Sequence, residues 1–174
     1  MKKILLVLLL IPFIGFGQVN TFPWIHDFES AVGLEQDQND DGDWWLIQGP
    51  TSSFNTGPSG DHTTGSGIYY YVESSNPNYP NKIFMSYTPV FDVSATPGKV
   101  LSFWYHMYGD AMGDLEIAVG DYSIPGTGYT VLNTISGNQG DQWFFAYYPI
   151  PPNVVDSFRI IFKATTGTLY TSDI

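Results

Sequence analysis

The residues with the clearest chemical potential lie in one glycine-rich stretch, residues 49–74. Its ionisable pair is Asp61-His62, and two threonine hydroxyl groups follow directly. An Asp–His pair can orient a general base, but this sequence has no Cys and no G-x-S-x-G elbow to supply a nucleophile. The three histidines also lack the H-E-x-x-H spacing of a zinc peptidase. We therefore predict no catalytic residue, and we expect His62 and His106 to be packed and hydrogen-bonded near strand ends.

A second stretch has the oxygen pattern of a calcium loop. Asp37, Asn39 and Asp41 alternate, and Gly42 occupies the sixth position, as in an EF-hand. The twelfth position is Gln48, however, which cannot replace the bidentate Glu, and no helical pattern flanks the loop. This favours a polar hairpin loop over a cation site.

Short alternating segments must position these loops. In residues 99–107, for example, Leu101, Phe103 and Tyr105 share one face, and Trp104 lies on the other. No helical period is sustained after residue 18, so strands with regular turn signals predict one domain, a two-sheet antiparallel sandwich. Strands are predicted at 22–29, 43–47, 68–73, 82–90, 99–107, 114–119, 129–135, 143–150, 157–164 and 169–174.

The first 17 residues read as a secretory signal peptide. Lys2 and Lys3 precede an apolar run at residues 4–16, and small residues follow it. The run is short for a membrane span of ~20 residues, which favours cleavage and an exported domain at residues 18–174. Without the two lysines, 4 basic and 17 acidic residues give a net charge of 4 − 17 = −13. Such acidity argues against a nucleic-acid partner, and the absence of Cys excludes disulfides.

Several motifs, taken in order, resemble those of the MAM domain family, an adhesion module of animal surface proteins. The resemblance covers the chain after the signal peptide and implies a jelly-roll β-sandwich of the concanavalin A-like type. It further implies a non-catalytic, exported adhesion or interaction module that binds protein or glycan at the cell surface. The matching pieces are Asp27-Phe28-Glu29, Asp43-Trp44, residues 57–65 (GPSGDHTTG), residues 101–109 (LSFWYHMYG), residues 112–115 (MGDL), residues 136–143 (SGNQGDQW), residues 158–164 (FRIIFKA) and Ser172-Asp173-Ile174.

The resemblance also implies a structural cation, Ca²⁺ or Na⁺, where the first and last strands meet the long loop. Calcium takes six to eight oxygen ligands. By motif position, the candidate ligands are Glu29, Asp43, Asp61 and Asp173.

Two departures from the family pattern matter. Animal members carry paired cysteines, and this sequence has none. The absence of cysteine, together with the Lys-Lys start of the signal peptide, favours a bacterial source. The family's last strand also continues past Ser-Asp-Ile, so we expect this sequence, which stops at Ile174, to be a fragment of a longer protein. Half a final strand would leave a neighbouring strand edge unpaired.

Two alternative functions stay open. One is a carbohydrate-binding accessory domain, for which alternation nominates Tyr70 as the exposed, ligand-contacting ring. The other is an ancillary domain of a secreted metallopeptidase whose catalytic part would follow Ile174.

Overall fold

The computed structural model describes residues 18–30, 33–120, 128–154 and 157–174, and the predicted signal peptide lies outside them. Within these ranges the secondary structure consists of strands and turns. No helix in the described residues has the length and hydropathy needed to cross a membrane. The strands are β1 (Glu35–Gln36), β2 (Trp45–Gln48), β3 (Ile68–Tyr71), β4 (Ile83–Tyr87), β5 (Phe91–Asp92), β6 (Val100–Tyr105), β7 (Asp114–Gly120), β8 (Thr130–Ser136), β9 (Phe144–Pro149) and β10 (Ser157–Thr165).

The larger layer is one continuous antiparallel sheet in the order β1-β4-β10-β7-β8, with β5 also paired to β10. Strand β10 occupies the centre of this sheet. Its side chains alternate as predicted: Phe158 and Ile160 are buried, whereas Arg159 pairs with Glu35 on the other face. The neighbouring β7 likewise buries Leu115, at 4% exposure. These alternating apolar side chains form the floor of the core.

The opposite layer consists of two strand pairs, β2–β3 and β6–β9, and the described residues contain no ladder between them. Phe103 of β6 packs edge-on against Phe162 of β10 across the core, with ring centroids 5.2 Å apart. Trp44, beside β2, is buried and donates its indole N–H to the carbonyl of Phe84 in β4. The predicted fold, an all-β antiparallel jelly-roll sandwich, is therefore confirmed.

The two ends of the domain depart from the strand prediction. Residues 22–29 form bends instead of a strand, and Phe28 has a φ of 63°, a left-handed conformation that ends any extended run. The aromatic side chains still pack inward, with Trp24 5.2 Å from Phe91. Residues 169–174 are also irregular, although the last four are buried. At both ends, the alternating pattern correctly predicted that side chains are buried, but it did not predict the backbone conformation.

Candidate functional site

The described residues enclose a cleft of about 380 Å³. We refer to it as the cleft. Strands β3 and β6 form its two walls, and the core residues of β7 and β10 form its floor. Five of the ionisable side chains considered in the sequence line this cleft, whereas Asp43 and Asp173 do not. The five are His26, Glu29, Asp61, His62 and His106.

Asp61 is the anchor of the glycine-rich loop. Its Oδ2 accepts the main-chain N–H groups of Thr63 and Thr64, both at 2.9 Å. Its Oδ1 accepts the Thr64 hydroxyl at 2.8 Å and the Gly67 N–H at 2.5 Å. The backbone bond from Thr64, helped by the other donors, holds the pKa of Asp61 far below its usual value. A carboxylate offers about four acceptor positions, so all of them are used within the loop.

Glu29 approaches the same turn from the N-terminal segment. Its Oε1 accepts the Ile68 N–H at 3.1 Å, one residue after the amide bound by Asp61. A Cβ atom at Gly67 would lie 2.7 Å from that Oε1 and 3.1 Å from Cγ of Asp61, so a larger residue there would displace the Glu29 carboxylate and crowd that of Asp61. Two acidic side chains distant in sequence thus fix the start of β3.

The histidines at the rim are occupied by packing. His62 is exposed, but its ring stacks on Trp104 with centroids 3.7 Å apart. His106 is 5% exposed, and its Nε2 lies 3.2 Å from Oδ1 of Asp141. Burial lowers the pKa of His106, although the Asp141 hydrogen bond opposes the shift. His106 is packed and hydrogen-bonded, as expected. His62 is packed against Trp104, as expected, although its side chain is exposed.

The four predicted cation ligands do not come together. Asp61 and Glu29 lie side by side, as described above, and Asp43 is an exposed side chain. Asp173 is fully buried: its Oδ1 accepts the N–H and hydroxyl of Ser74, at 2.8 and 2.7 Å. Within the described residues no three His, Cys, Asp or Glu side chains are placed to hold a metal ion. A structural cation thus stays a prediction, and these four residues do not form one shared site for it.

Asp173 is nevertheless an unusual carboxylate. Its Oδ2 is buried and meets no donor in good hydrogen-bond geometry among the described residues, although the nearby Thr51 hydroxyl, which donates to the Thr56 carbonyl, favours the ionised form. Burial raises the pKa of Asp173 to about 6. A buried carboxylate oxygen without a donor is costly unless a proton or a cation neutralises it.

The acidic loop at residues 37–43 is structural. Asp40 Oδ2 accepts the N–H of Met85, and Asp41 Oδ2 accepts the N–H of Ile83 at 2.8 Å. Asp41 also pairs with Lys82 through its other oxygen, at 2.8 Å. These carboxylates attach the loop to β4, so the local calcium pattern of the sequence is used for hydrogen bonding to the neighbouring strand.

Tyr70 is not the exposed ring that alternation predicted. It is part-buried and stacks between Phe28 and Trp44, at centroid distances of 5.7 and 5.1 Å. Its hydroxyl is hydrogen-bonded to Gln36 and Ser86. Burial raises its pKa to about 12. Both faces of the ring are therefore covered, by Phe28 of the N-terminal segment and by Trp44 beside β2, and the side chain packs against the core.

Three exposed rings lie together on the outer face of β6–β9, and other exposed rings are found at Trp45, Phe54, Tyr129 and Tyr170. Trp104, Phe145 and Tyr147 are 44%, 55% and 57% exposed, and we refer to them as the aromatic strip. Trp104 pairs with Phe145 across the two strands, with ring centroids 5.2 Å apart. The strip was missed from the sequence, although the alternation of both strands contained the signal.

Comparisons with known proteins place the chain in context. A family model described as "MAM domain, meprin/A5/mu" matches residues 26–174. The chain is 35% identical over 151 residues to "MAM domain-containing glycosylphosphatidylinositol anchor protein 1" of Gallus gallus, which covers 84% of this chain and 16% of that protein. It is 36% identical over 150 residues to "Thyroid hormone-induced protein B" of Xenopus laevis, covering 84% of this chain and 20% of that one. It is 34% identical over 124 residues to "Neuropilin-1a" of Danio rerio, covering 70% and 13%. The chain thus spans at most about a fifth of the length of these relatives.

We expect Asp61→Asn to loosen the glycine-rich loop without unfolding the sandwich. An amide can keep one acceptor oxygen but replaces the other with a donor, so the bonds to Thr63 and Thr64 or that to Gly67 must break. Amide hydrogen exchange at Thr64 and Gly67 should accelerate at least about tenfold, a change that corresponds to ~1.4 kcal/mol in the opening equilibrium. The control is Asp92→Asn, because Asp92 caps Ser94 in the same manner outside this loop. Unchanged exchange at both Thr64 and Gly67 in Asp61→Asn would contradict the anchoring role.

Proposed function

This chain belongs to the MAM domain family, and we propose that it is a non-catalytic interaction module of an exported protein, acting at the cell surface or outside the cell. The names of two relatives support an extracellular setting: one is a glycosylphosphatidylinositol anchor protein and the other is a neuropilin. The signal-like residues 1–17 support export. Two ionisable groups that line the cleft support a non-catalytic role, because both are engaged in structural hydrogen bonds. Asp61 accepts main-chain N–H groups of its own loop, such as that of Gly67, and His106 is hydrogen-bonded to Asp141.

The aromatic strip is the observation that carries the proposal. Its neighbours on the same outer face are Val100, Ser102 and Pro149, and none of these six described side chains is charged. The whole chain has a net charge of −11, so an uncharged, aromatic face stands out from its surroundings. Exposed apolar patches with a polar surround mark interaction sites, and Trp and Tyr are enriched among residues that dominate binding energy. We propose that the strip contacts a protein at the cell surface.

A glycan is the second candidate partner, because the same exposed rings suit it. Sugar rings stack on aromatic side chains, and the strip offers a Trp and a Tyr at its surface. Trp104 has one face covered by His62, so stacking would use its opposite face or its edge. The ring planes of Trp104 and Phe145 are inclined by 55°, which favours an irregular protein surface over a flat chain of sugars.

We expect Trp104→Ala and Tyr147→Ala to abolish binding. Beads coated with residues 18–174 should bind saturably to cells of the source organism, and each substitution should weaken this binding about 30-fold or more, the loss typical of a hot-spot residue at 2 kcal/mol or above. The control is Phe54→Ala, since Phe54 is 86% exposed and lies outside the strip.

Two results would contradict this assignment. Binding that survives both strip substitutions would remove the strip from the interface. Saturable binding to a glycan array that is lost in Trp104→Ala and competes with cell binding would favour the carbohydrate-binding alternative.

We also propose a structural cation, Ca²⁺ or Na⁺, held at Asp173 instead of at all four acidic residues. The support is the buried Oδ2 of Asp173, which meets no donor in good geometry among the described residues, since the nearby Thr51 hydroxyl donates to the Thr56 carbonyl. Oxygens are available nearby, since the hydroxyl of Thr56 accepts the Asp173 N–H and the Tyr170 carbonyl lies at Ser74. A bound cation would neutralise the buried charge and so stabilise the fold.

Chelation provides the test of the cation. In sodium-free buffer with Ca²⁺ at 100 times its Kd, binding contributes about 2.7 kcal/mol, so EDTA should lower the Tm by about 5–10 °C for a domain of this size. Asp173→Asn should melt at the same temperature with and without EDTA. The exposed Asp43→Asn serves as control and should retain the wild-type difference. Identical wild-type melts with EDTA, Ca²⁺ and Na⁺ would eliminate the cation.

A further inference from the structure

The outer face of β6–β9 has one short position among its rings. Its side chains form three cross-strand rows, which are Trp104 with Phe145, Ser102 with Tyr147, and Val100 with Pro149. The middle row is unequal, because a serine stands beside a tyrosine. Side chains project roughly perpendicular to a sheet, so the short Ser102 leaves a gap between the larger groups around it. We refer to this gap as the serine notch.

Two aromatic rings form the walls of the serine notch. Tyr147 lies two residues beyond Phe145, the cross-strand partner of Trp104, so Trp104 and Tyr147 are diagonal neighbours. Such neighbours lie about 7–8 Å apart on a sheet face. A ring packed at a contact distance of about 3.5–4.0 Å against each wall would fill a gap of this width. Ser102 is itself exposed, so the notch is open to solvent and accepts one ring.

The polar groups around the notch can donate hydrogen bonds. They are the Ser102 hydroxyl, the Trp104 indole N–H and the Tyr147 hydroxyl, and none has a hydrogen-bond partner among the described residues. The carbonyl groups of an α-helix are paired within the helix, whereas a polyproline II segment has no internal hydrogen bonds and leaves its carbonyls available. Sugar hydroxyls donate as well as accept, and this face has no carboxylate or amide side chain to receive them. The donors therefore favour an extended peptide over a helix or a glycan.

The length of the strip also suits an extended peptide. The first and third rows are four residues apart along each strand, which corresponds to about 13 Å. A polyproline II helix rises about 3.1 Å per residue, so about four of its residues span the three rows. With one residue in the notch, its neighbours would contact Val100 and Pro149 on one side and Phe145 on the other.

Charge distinguishes the two ends of the strip. Beyond Trp104 on β6, His106 is hydrogen-bonded to Asp141, whose side chain is 65% exposed. At the opposite end, Lys99 directly precedes Val100, and its Nζ donates to the carbonyl of Val154. A basic residue of the partner would therefore be attracted to the Trp104 end, where Asp141 can pair with it.

We propose that the serine notch binds a proline ring in a polyproline II segment of the partner, with a Lys or Arg of that segment at Asp141. This inference rests on the proposed function, since it names the chemistry of the partner at the same aromatic strip. Proline suits the notch because its ring is compact and its φ is fixed, so little conformational entropy is lost on binding. Proline-rich segments dock in aromatic-lined grooves for the same reason.

Titration with a defined peptide tests the proline and the charge separately. The probe is acetyl-Arg-Pro-Pro-Ala-Pro-Pro-Arg-amide, which has Arg at both ends, so either direction of binding brings one to Asp141. It should bind saturably with a Kd below about 1 mM. Peptides in which Ala replaces every Pro, or Glu replaces both Arg, should bind at least about tenfold more weakly. Equal binding of either control peptide, or no saturable binding of the probe, would overturn the proposal.

Filling the notch separates it from a general apolar surface. Ser102→Phe adds a ring to the strip but closes the notch, so peptide binding should fall at least about tenfold. A flat apolar contact would instead be kept or strengthened by the added ring. The matched control is Ser136→Phe, at an exposed serine of β8 in the larger sheet, which should bind like the wild type. Undiminished binding in Ser102→Phe would contradict the notch.

Indole signals locate the contact in the wild-type protein. In nuclear magnetic resonance spectra, the N–H signal of Trp104, assigned with Trp104→Phe, should shift as the peptide is added, because the N–H meets a carbonyl. The indole N–H of Trp44 should change little, since the carbonyl of Phe84 holds it in the core. Saturable binding without a shift at Trp104 would place the peptide elsewhere and overturn the proposal.

Cell binding separates this inference from the function on which it rests. The peptide should compete with cell binding, and Ser102→Phe should weaken it. Cell binding that is lost in Trp104→Ala and Tyr147→Ala but intact in Ser102→Phe would keep the strip as the interface and remove the notch. Cell binding that survives both alanine substitutions would remove the proposed function itself. Displacement of the peptide by a soluble oligosaccharide such as cellohexaose would assign the notch to a sugar ring instead of proline.

Discussion

The structure depends on carboxylates that accept hydrogen bonds from main-chain amides. The domain has no disulfides, since it has no Cys, and its long loops need other attachments. Each such bond satisfies a backbone donor that would otherwise need water or another partner. Much of the domain's acidity is therefore used to hold loops against strands, and it is not in itself evidence for bound cations. The pairs are Asp61 with Thr63, Thr64 and Gly67, Glu29 with Ile68, Asp40 with Gly42 and Met85, Asp41 with Ile83, Glu73 with Ser75, and Asp173 with Ser74.

The same interaction shapes the cleft. Glu29 and Asp61 bind the amides at the start of β3, so this end of the strand is fixed without a neighbouring strand. At the other end, Val72 is paired with Ile174. Among the described residues, no strand ladder joins β3 to β6. The two halves of this layer are held together by packing against the larger sheet, through contacts such as Phe103 with Phe162, and by hydrogen bonds from loops, such as that from the Trp143 indole N–H to the Gly60 carbonyl.

Period-two alternation predicted most strands and the inward faces of β7 and β10, because those strands pair on both edges and bury one face. It failed at residues 22–29, where buried aromatic residues alternate but the backbone turns at Phe28. It also failed at Tyr70, since alternation alone does not reveal that Phe28 and Trp44 cover the ring. The motif positions predicted Asp61 and Asp173 as cation ligands, which stays a prediction. They did not separate ligands from hydrogen-bond acceptors, because that difference depends on which amides each carboxylate meets in three dimensions.

The distribution of charge limits the kind of partner that the domain can bind. An acidic surface repels acidic partners over roughly a Debye length, about 8 Å at physiological salt. The aromatic strip and its three neighbours on the same face, Val100, Ser102 and Pro149, interrupt that surface with six uncharged side chains. The pairing of β6 with β9 holds the rings in fixed positions. Rigid aromatic rings lose little conformational entropy on binding. A partner that is apolar at the contact and neutral or basic around it would therefore pack against the rings with water excluded, and basic groups around the contact would be attracted by the acidic surface. An acidic partner would be repelled by that surface.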